Sequence, residues 1–167
     1  CREAARWPEN MTVAVNLSPA QFRSSNLVRD IERALETNGL EPSRLELEIT
    51  ETLLFEGSAR QLDILGQIQA LGVTISMDDF GTGYSSLSYL KRLPLEQLKI
   101  DRSFVRDLTF DPDDALIIQA IINLSRSLNL DTIAEGVETE EQCHFLFDGD
   151  IFGPILLEVG KVGFVFD

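Results

Sequence analysis

The sequence predicts an α/β protein, an incomplete modified TIM-type (βα) barrel with mostly parallel strands. Short β-type runs alternate with helical patterns five times, and the crossovers are long enough to join parallel strands. Each run also ends in a polar residue on the face that carries small or polar side chains. Asn16 shares a face with Ala14, Glu48 with Glu46 and Thr50, Asp78 with Thr74 and Ser76, Lys99 with Gln97 and Asp101, and Glu135 with Ile133. The opposite faces are mostly Val, Leu and Ile, suited to packing on helices. Polar side chains at the ends of successive parallel strands converge at a barrel mouth. A doubly wound open sheet fits the order of elements too, but it would bury Glu46 and Glu48 under helices at a cost.

The elements follow in order. Cys1 to Trp7 reads as the tail of an amphipathic helix stopped by Pro8, so the chain is expected to begin inside an element. Thr12 to Leu17 is a short β-type run. Ser18-Pro19-Ala20-Gln21 is a capping box with Pro at the first helical position. Leu27, Val28, Ile31, Ala34 and Leu35 keep helical spacing until Asn38-Gly39. Leu45 to Thr50 alternates strictly, and Glu51 closes that strand. A helix is predicted from Ser58 to Ala70, with Leu62, Leu65 and Ile68 on its core side. The strand Val73 to Met77 delivers Asp78-Asp79 into a glycine turn, and a helix through Leu87, Leu90 and Leu93 stops at Pro94. Gln97 to Asp101 is another strand. Asp111-Pro112 caps a long helix whose core face is expected at Leu116, Ile117, Ala120, Ile121, Leu124 and Leu128. Asp131 to Ala134 is a strand ending at Glu135-Gly136, and Thr139-Glu140-Glu141-Gln142 is a second capping box.

Composition narrows the function. One domain's worth of chain carries Lys+Arg 14 against Asp+Glu 28, a net charge of -14. That argues against binding a nucleic-acid polymer through a broad basic face. A phosphate ligand remains accessible if metal sits between it and the protein. Two cysteines and one histidine provide no disulfide framework, no zinc spacing and little basis for Ser-His or Cys-His nucleophiles. No apolar run approaches a membrane span and no signal-peptide pattern opens the chain. A cytoplasmic, reducing compartment is the default expectation.

The strand ends supply an all-oxygen donor set: Asn16, Glu48, Asp78, Asp79 and Glu135. Such a set suits Mg²⁺ or Mn²⁺ rather than zinc or copper. Two hard ions sharing Asp78, with Asp79 serving one of them, would clamp the attacking and leaving oxygens of a phosphoryl displacement. Lys99 would offset charge in the transition state. The reaction class is metal-assisted phosphodiester or phosphomonoester hydrolysis. Each residue taken alone has a blander reading. Asp78-Asp79 before Gly81 is compatible with a plain turn. Asn16 can be a helix-entry residue, Glu48 the wet face of a strand, Glu51 and Asp101 simple caps, and Glu135-Gly136 turn chemistry. Lys99 can be a structural ion-pair partner or the Schiff-base lysine of an aldolase-like barrel. Five polar strand ends in succession are harder to explain as background.

Asn16-Leu17-Ser18, Glu48-Ile49-Thr50-Glu51, Asp78-Asp79-Phe80-Gly81-Thr82-Gly83, Leu98-Lys99-Ile100-Asp101 and Ala134-Glu135-Gly136-Val137-Glu138 resemble, in order and spacing, the EAL domain of bacterial cyclic di-GMP phosphodiesterases. The resemblance covers roughly residues 1 to 142. It implies hydrolysis of cyclic di-GMP to linear pGpG with two Mg²⁺ or Mn²⁺ ions. It implies Asn16, Glu48 and Asp78 as metal ligands and Asp79 as ligand of the second ion. Lys99 would meet the nucleophilic water, and Glu135 would act as general base or metal partner. Glu51 would order the loop of Phe80, Gly81, Thr82 and Gly83, which joins the metal site to a homodimer surface. Asp101 and Glu138 are further candidates within the matching motifs. The resemblance also implies an upstream diguanylate-cyclase-like or sensory domain and a membrane anchor in the parent protein.

Two departures are visible. The family's namesake Glu-Ala-Leu falls on a strand before Cys1, and its late Gln has no counterpart in Asp148 to Leu157. The organisation expected is therefore a barrel segment over 1–147 lacking its first strands, followed by a divergent tail over 148–167 that is either the last strand or a frameshifted end. Little or no turnover is expected from these 167 residues alone. The alternative is a degenerate domain that binds cyclic di-GMP or a protein partner without catalysis.

Overall fold

The structure is a computed structural model that describes residues 1–54, 59–81, 87–147 and 155–158. These residues form two compact units.

The first unit holds residues 1–78 and 87–96. Strand β1 (Val13–Asn16) pairs in parallel with β2 (Leu45–Thr50), and β2 with β3 (Thr74–Phe80). The register sets Asn16 opposite Glu48, Glu48 opposite Ser76, and Asp78 opposite Thr50. Leu45, Leu47, Ile49, Ile75 and Met77 are buried, as the alternation requires. The capping box at Ser18 forms as the sequence predicts, starting α1 (Pro19–Arg23). That helix stops at Ser24, which adopts an extended backbone, and α2 (Leu27–Asn38) starts afresh and ends on left-handed Gly39. The single helix expected from the capping box to Asn38 is therefore two, and the spaced residues Leu27 to Leu35 all fall in the second.

Helix α3 (Ala59–Ala70) buries Leu65 and Ile68 with Gln61, while Leu62 is only half-buried. Gln61 earns its place in the interior by donating from Nε2 to the Leu53 carbonyl at 3.2 Å. Helix α4 (Leu87–Leu90) is a single turn. The expected helix tail over Cys1 to Trp7 is instead a 3-10 turn at Ala4–Arg6. Without a helical stripe to bury, this stretch is held by Arg44, whose Nη2 donates to the Ala4 carbonyl at 2.7 Å and Nε to Met11 at 2.9 Å.

The second unit holds residues 79–81, 97–147 and 155–158. Strand β4 (Gln97–Ile100) pairs in parallel with β5 (Asp131–Glu135), and β5 with β6 (Ile155–Glu158). The part of the tail that is described thus adds a parallel strand to β5, with Glu158 opposite Glu135. The β-rich residues Val162 to Phe166 lie outside the described residues, as does the start of the predicted helix at Ser58.

Two expectations need correction here. Asp101 does not extend β4; it caps a helix that periodicity did not reveal, α5 (Arg102–Asp107). The core face of α6 (Pro112–Leu128) is also rotated from the one expected. Ile118, Ile121, Ile122 and Ser125 are buried, whereas Leu116 is 62% exposed, Ile117 and Ala120 are exposed, and Leu124 and Leu128 are half-buried. The helix is apolar on more than one side, so spacing alone did not choose the stripe. Ser125 joins the buried stripe because its hydroxyl donates back to the Ile121 carbonyl at 3.0 Å.

The Asp111 carboxylate accepts from the Asp113 N–H at 2.9 Å and so caps the longest helix of the unit. Asp111→Ala is predicted to cost about 1 kcal/mol, read as a lower urea midpoint at unchanged slope. An unchanged midpoint would show that this cap is energetically idle.

Candidate metal centre

Within the first unit, three predicted ligands sit at the C-terminal ends of neighbouring parallel strands. Glu48 and Asp78 are 2% and 6% exposed. The register puts Asp78 one same-face step beyond Glu48, and a carboxylate oxygen from each lies within 4.8 Å of the other. Two buried acids that close repel when ionised and are costly to desolvate. Asn16, exposed at the end of β1, offsets part of this by donating from Nδ2 to Glu48 Oε2 at 2.8 Å. Below that level, the Ser76 hydroxyl donates to Glu46 Oε1 at 2.6 Å. The polar face of these strands is therefore an organised interior surface, which rules out the wet-face reading of Glu48. Glu51 is buried at the start of a 3-10 turn, Glu51–Leu54. Two buried carboxylates and the amide oxygen of the exposed Asn16 are donors a hard divalent cation takes, so the residues present fit Mg²⁺ or Mn²⁺.

The second unit carries the other predicted residues. Lys99 and Glu135 are 2% and 9% exposed, and their Nζ and Oε1 atoms are 3.9 Å apart. A buried ammonium needs such a partner, since its desolvation costs several kcal/mol. Glu135 stands one same-face step beyond the residue paired with Lys99, which is Ile133. Asp79 has φ 55, in the left-handed region that costs a non-glycine residue about 1 kcal/mol or more. Phe80 is buried beside it. Gly81 has φ 102, and a Cβ there would meet Phe104 Cε2 at 2.9 Å. Thr82 and Gly83 lie outside the described residues. Glu138 is exposed, and its N–H donates to Gln142 Oε1 at 2.8 Å.

Asp101 does more than the sequence shows. It accepts from the Ser103 N–H at 2.8 Å and from the Ser103 hydroxyl, and its carboxyl shares a hydrogen bond with Asp79. Burial pushes its pKa up, but the Ser103 bonds, the Asp79 contact and the Arg102 charge outweigh that, leaving Asp101 below the ordinary carboxylate value. Sequence reasoning found Gln142 only as a capping residue. In the structure its amide also donates to the Val105 and Arg106 carbonyls at 3.1 and 3.3 Å. No local pattern announces that reach; only the amide where a capping box also admits Glu hints at a donor role.

At this level the chain defines an α/β protein whose polar groups gather at the C-terminal ends of parallel strands. A family model described as EAL domain matches residues 1–152. The bifunctional diguanylate cyclase/cyclic di-GMP phosphodiesterase MucR of Pseudomonas aeruginosa is 51% identical over 150 residues, 87% of this chain but 22% of MucR. The solved PaMucR phosphodiesterase in complex with c-di-GMP matches with TM-score 0.81 and 52% identity, over 87% of this chain and 58% of that one. Klebsiella pneumoniae BlrP1 in a manganese/cy-diGMP complex matches with TM-score 0.76 and 29% identity, over 87% of this chain and 37% of that one. The chain belongs to the EAL domain family, whose fold is the TIM-like barrel that the alternating pattern predicts.

The low Asp101 pKa has a sign that can be checked. Its stabilising contribution is present above the ordinary value of about 3.9 and is lost as pH falls through the lower folded-state value. A carboxyl NMR titration of Asp101 is expected to give a midpoint below that ordinary value. A midpoint at or above it would contradict the cap described here.

Proposed function

We propose that this chain carries the core of a metal-dependent site that cleaves cyclic di-GMP to linear pGpG. The buried Glu48–Asp78 pair, with Asn16 fixed on Glu48, carries the reading. Asn16, Glu48 and Asp78 would hold one ion, and Asp78 with Asp79 a second. Glu135, paired with Lys99, would serve as base or ligand. Bound divalent ions would supply Lewis-acid charge neutralisation to the scissile phosphodiester. The residues of the chain do the remainder. Asn16 orients the Glu48 carboxylate. Lys99, already desolvated, presents a positive charge that stabilises developing negative charge more than it would in water. Glu135, beside Lys99, would accept a proton from attacking water. Either Mg²⁺ or Mn²⁺ satisfies these donors. Glu51 would order the segment from Phe80 onward, and that segment would form a homodimer contact. Relatives several times longer than this chain, one of them named a diguanylate cyclase as well as a phosphodiesterase, suggest a partner domain of sensory or cyclase type.

A second reading is binding without turnover. It is favoured by the stretch from Asp148 to Leu157, which lacks the late Gln that the family resemblance calls for. Calorimetry with cyclic di-GMP, with and without Mn²⁺, together with chromatographic detection of pGpG, separates the two.

Mn²⁺-dependent binding of cyclic di-GMP is expected, and Asp78→Asn is predicted to weaken it about 10- to 100-fold. Lys99→Met should leave binding within a few-fold and remove whatever pGpG release the wild-type chain shows. Metal-independent binding, or an Asp78→Asn chain that binds as tightly as wild type, would overturn the proposal. A carbonyl substrate trapped on Lys99 by borohydride would favour aldolase-like chemistry instead.

A further inference from the structure

Helix α5 has only six residues, too few to be stable by itself. Its order must come from what holds its ends, and those ties lead to both candidate acids of the second unit. At the N-terminus, Asp101 caps the helix and hydrogen-bonds Asp79. In the middle, Phe104 packs against Gly81, two residues past Asp79. The stretch that follows Glu135 grips the helix at both ends. Gly136, at φ 71, lies so close to Arg102 that a Cβ would sit 2.9 Å from the Arg102 Cβ. Gln142, buried, donates from Nε2 to the Arg106 carbonyl and to the Val105 carbonyl, which also accepts from the Leu108 N–H at the helix C-terminus. Through Oε1 the same side chain accepts from the Glu138 and Thr139 N–H groups at 2.8 and 3.0 Å.

We propose that Gln142 is a positioning residue: by fastening the Glu135–Thr139 loop to α5, it fixes Glu135 relative to Asp79. The proposal deepens the metal-site reading and rests on it. Glu135 ends a strand and has no regular structure after it until α7 (Glu140–Phe147). Its carboxylate faces Lys99 at 3.9 Å, Gly136 next to it packs on Arg102, and the Gln142 amide ties down Glu138 and Thr139 further along the loop. A capping function alone would be served equally by Glu, since it needs only an acceptor. The amide nitrogen matters because only it can reach the α5 carbonyls as a donor.

The discriminating variant is Gln142→Glu in the full chain. It keeps an acceptor for the Glu138 and Thr139 N–H groups and loses the donor to Val105 and Arg106. Thr139→Ala is the control: it removes the hydroxyl that accepts from the Gln142 N–H at 3.2 Å and leaves the amide tie intact. Mn²⁺ affinity is read by calorimetry, and kcat and KM wherever pGpG release is measurable. Gln142→Glu is expected to weaken Mn²⁺ binding by about 10- to 100-fold and to lower kcat with KM little changed. Thr139→Ala should reduce the unfolding midpoint and leave Mn²⁺ affinity unchanged. If Gln142→Glu does not fold, Gln142→Met, which keeps length and volume, is compared with Thr139→Ala in the same way. Equal Mn²⁺ affinity in wild type and the Gln142 variant would overturn the clamp while leaving the metal site standing. A wild-type chain that binds no Mn²⁺ would overturn the metal site itself, and the clamp with it.

Discussion

The structure depends on keeping ionisable groups out of water at the ends of parallel strands. Glu48, Asp78, Lys99 and Glu135 are all buried. Each would cost several kcal/mol if left without compensation. The compensation is local and specific: the Asn16 amide on Glu48, and the Lys99 ammonium facing Glu135. Strand register makes this possible. Parallel pairing brings Asn16 level with Glu48 and Asp78 one step further, so that side chains far apart in sequence share one face. Such an arrangement is poor as a stability device, because well-packed apolar residues would do as well or better. Its persistence here makes sense as chemistry, where desolvated charge is stronger than charge in water.

Much of this was legible in the sequence for a simple reason. A strand has a period of two, so a polar residue at a strand end declares its face. Glu48 shares its face with Glu46, and Asp78 with Ser76, and the structure bridges neighbouring strands through Ser76 and Glu46. The capping boxes at Ser18 and Thr139 were equally readable, since their hydrogen bonds span three residues. Asp111 before Pro112 was readable on the same ground.

Features that depend on distant parts of the chain were hidden. Helix α6 is apolar around much of its girth, and only tertiary packing selects Ile118 and Ile122 over Leu116 and Ile117. Helix α5 is too short to show a period, and Asp101 looks like a strand residue until its carboxylate is seen on Ser103. The reach of Gln142 to Val105 crosses 37 positions, a tie that no local pattern encodes.

On the proposed function, the strand-end carboxylates hold divalent metal against a phosphodiester. Anomalous scattering from crystals of the chain grown with Mn²⁺ and cyclic di-GMP tests it most directly. The expected result is a peak ligated by Glu48 and Asp78 with Asn16 beside it, a second peak at Asp79, and a phosphate of the dinucleotide bridging them. Dinucleotide bound elsewhere, or Mn²⁺ found only on surface acids while Glu48 and Asp78 stay bare, would contradict it.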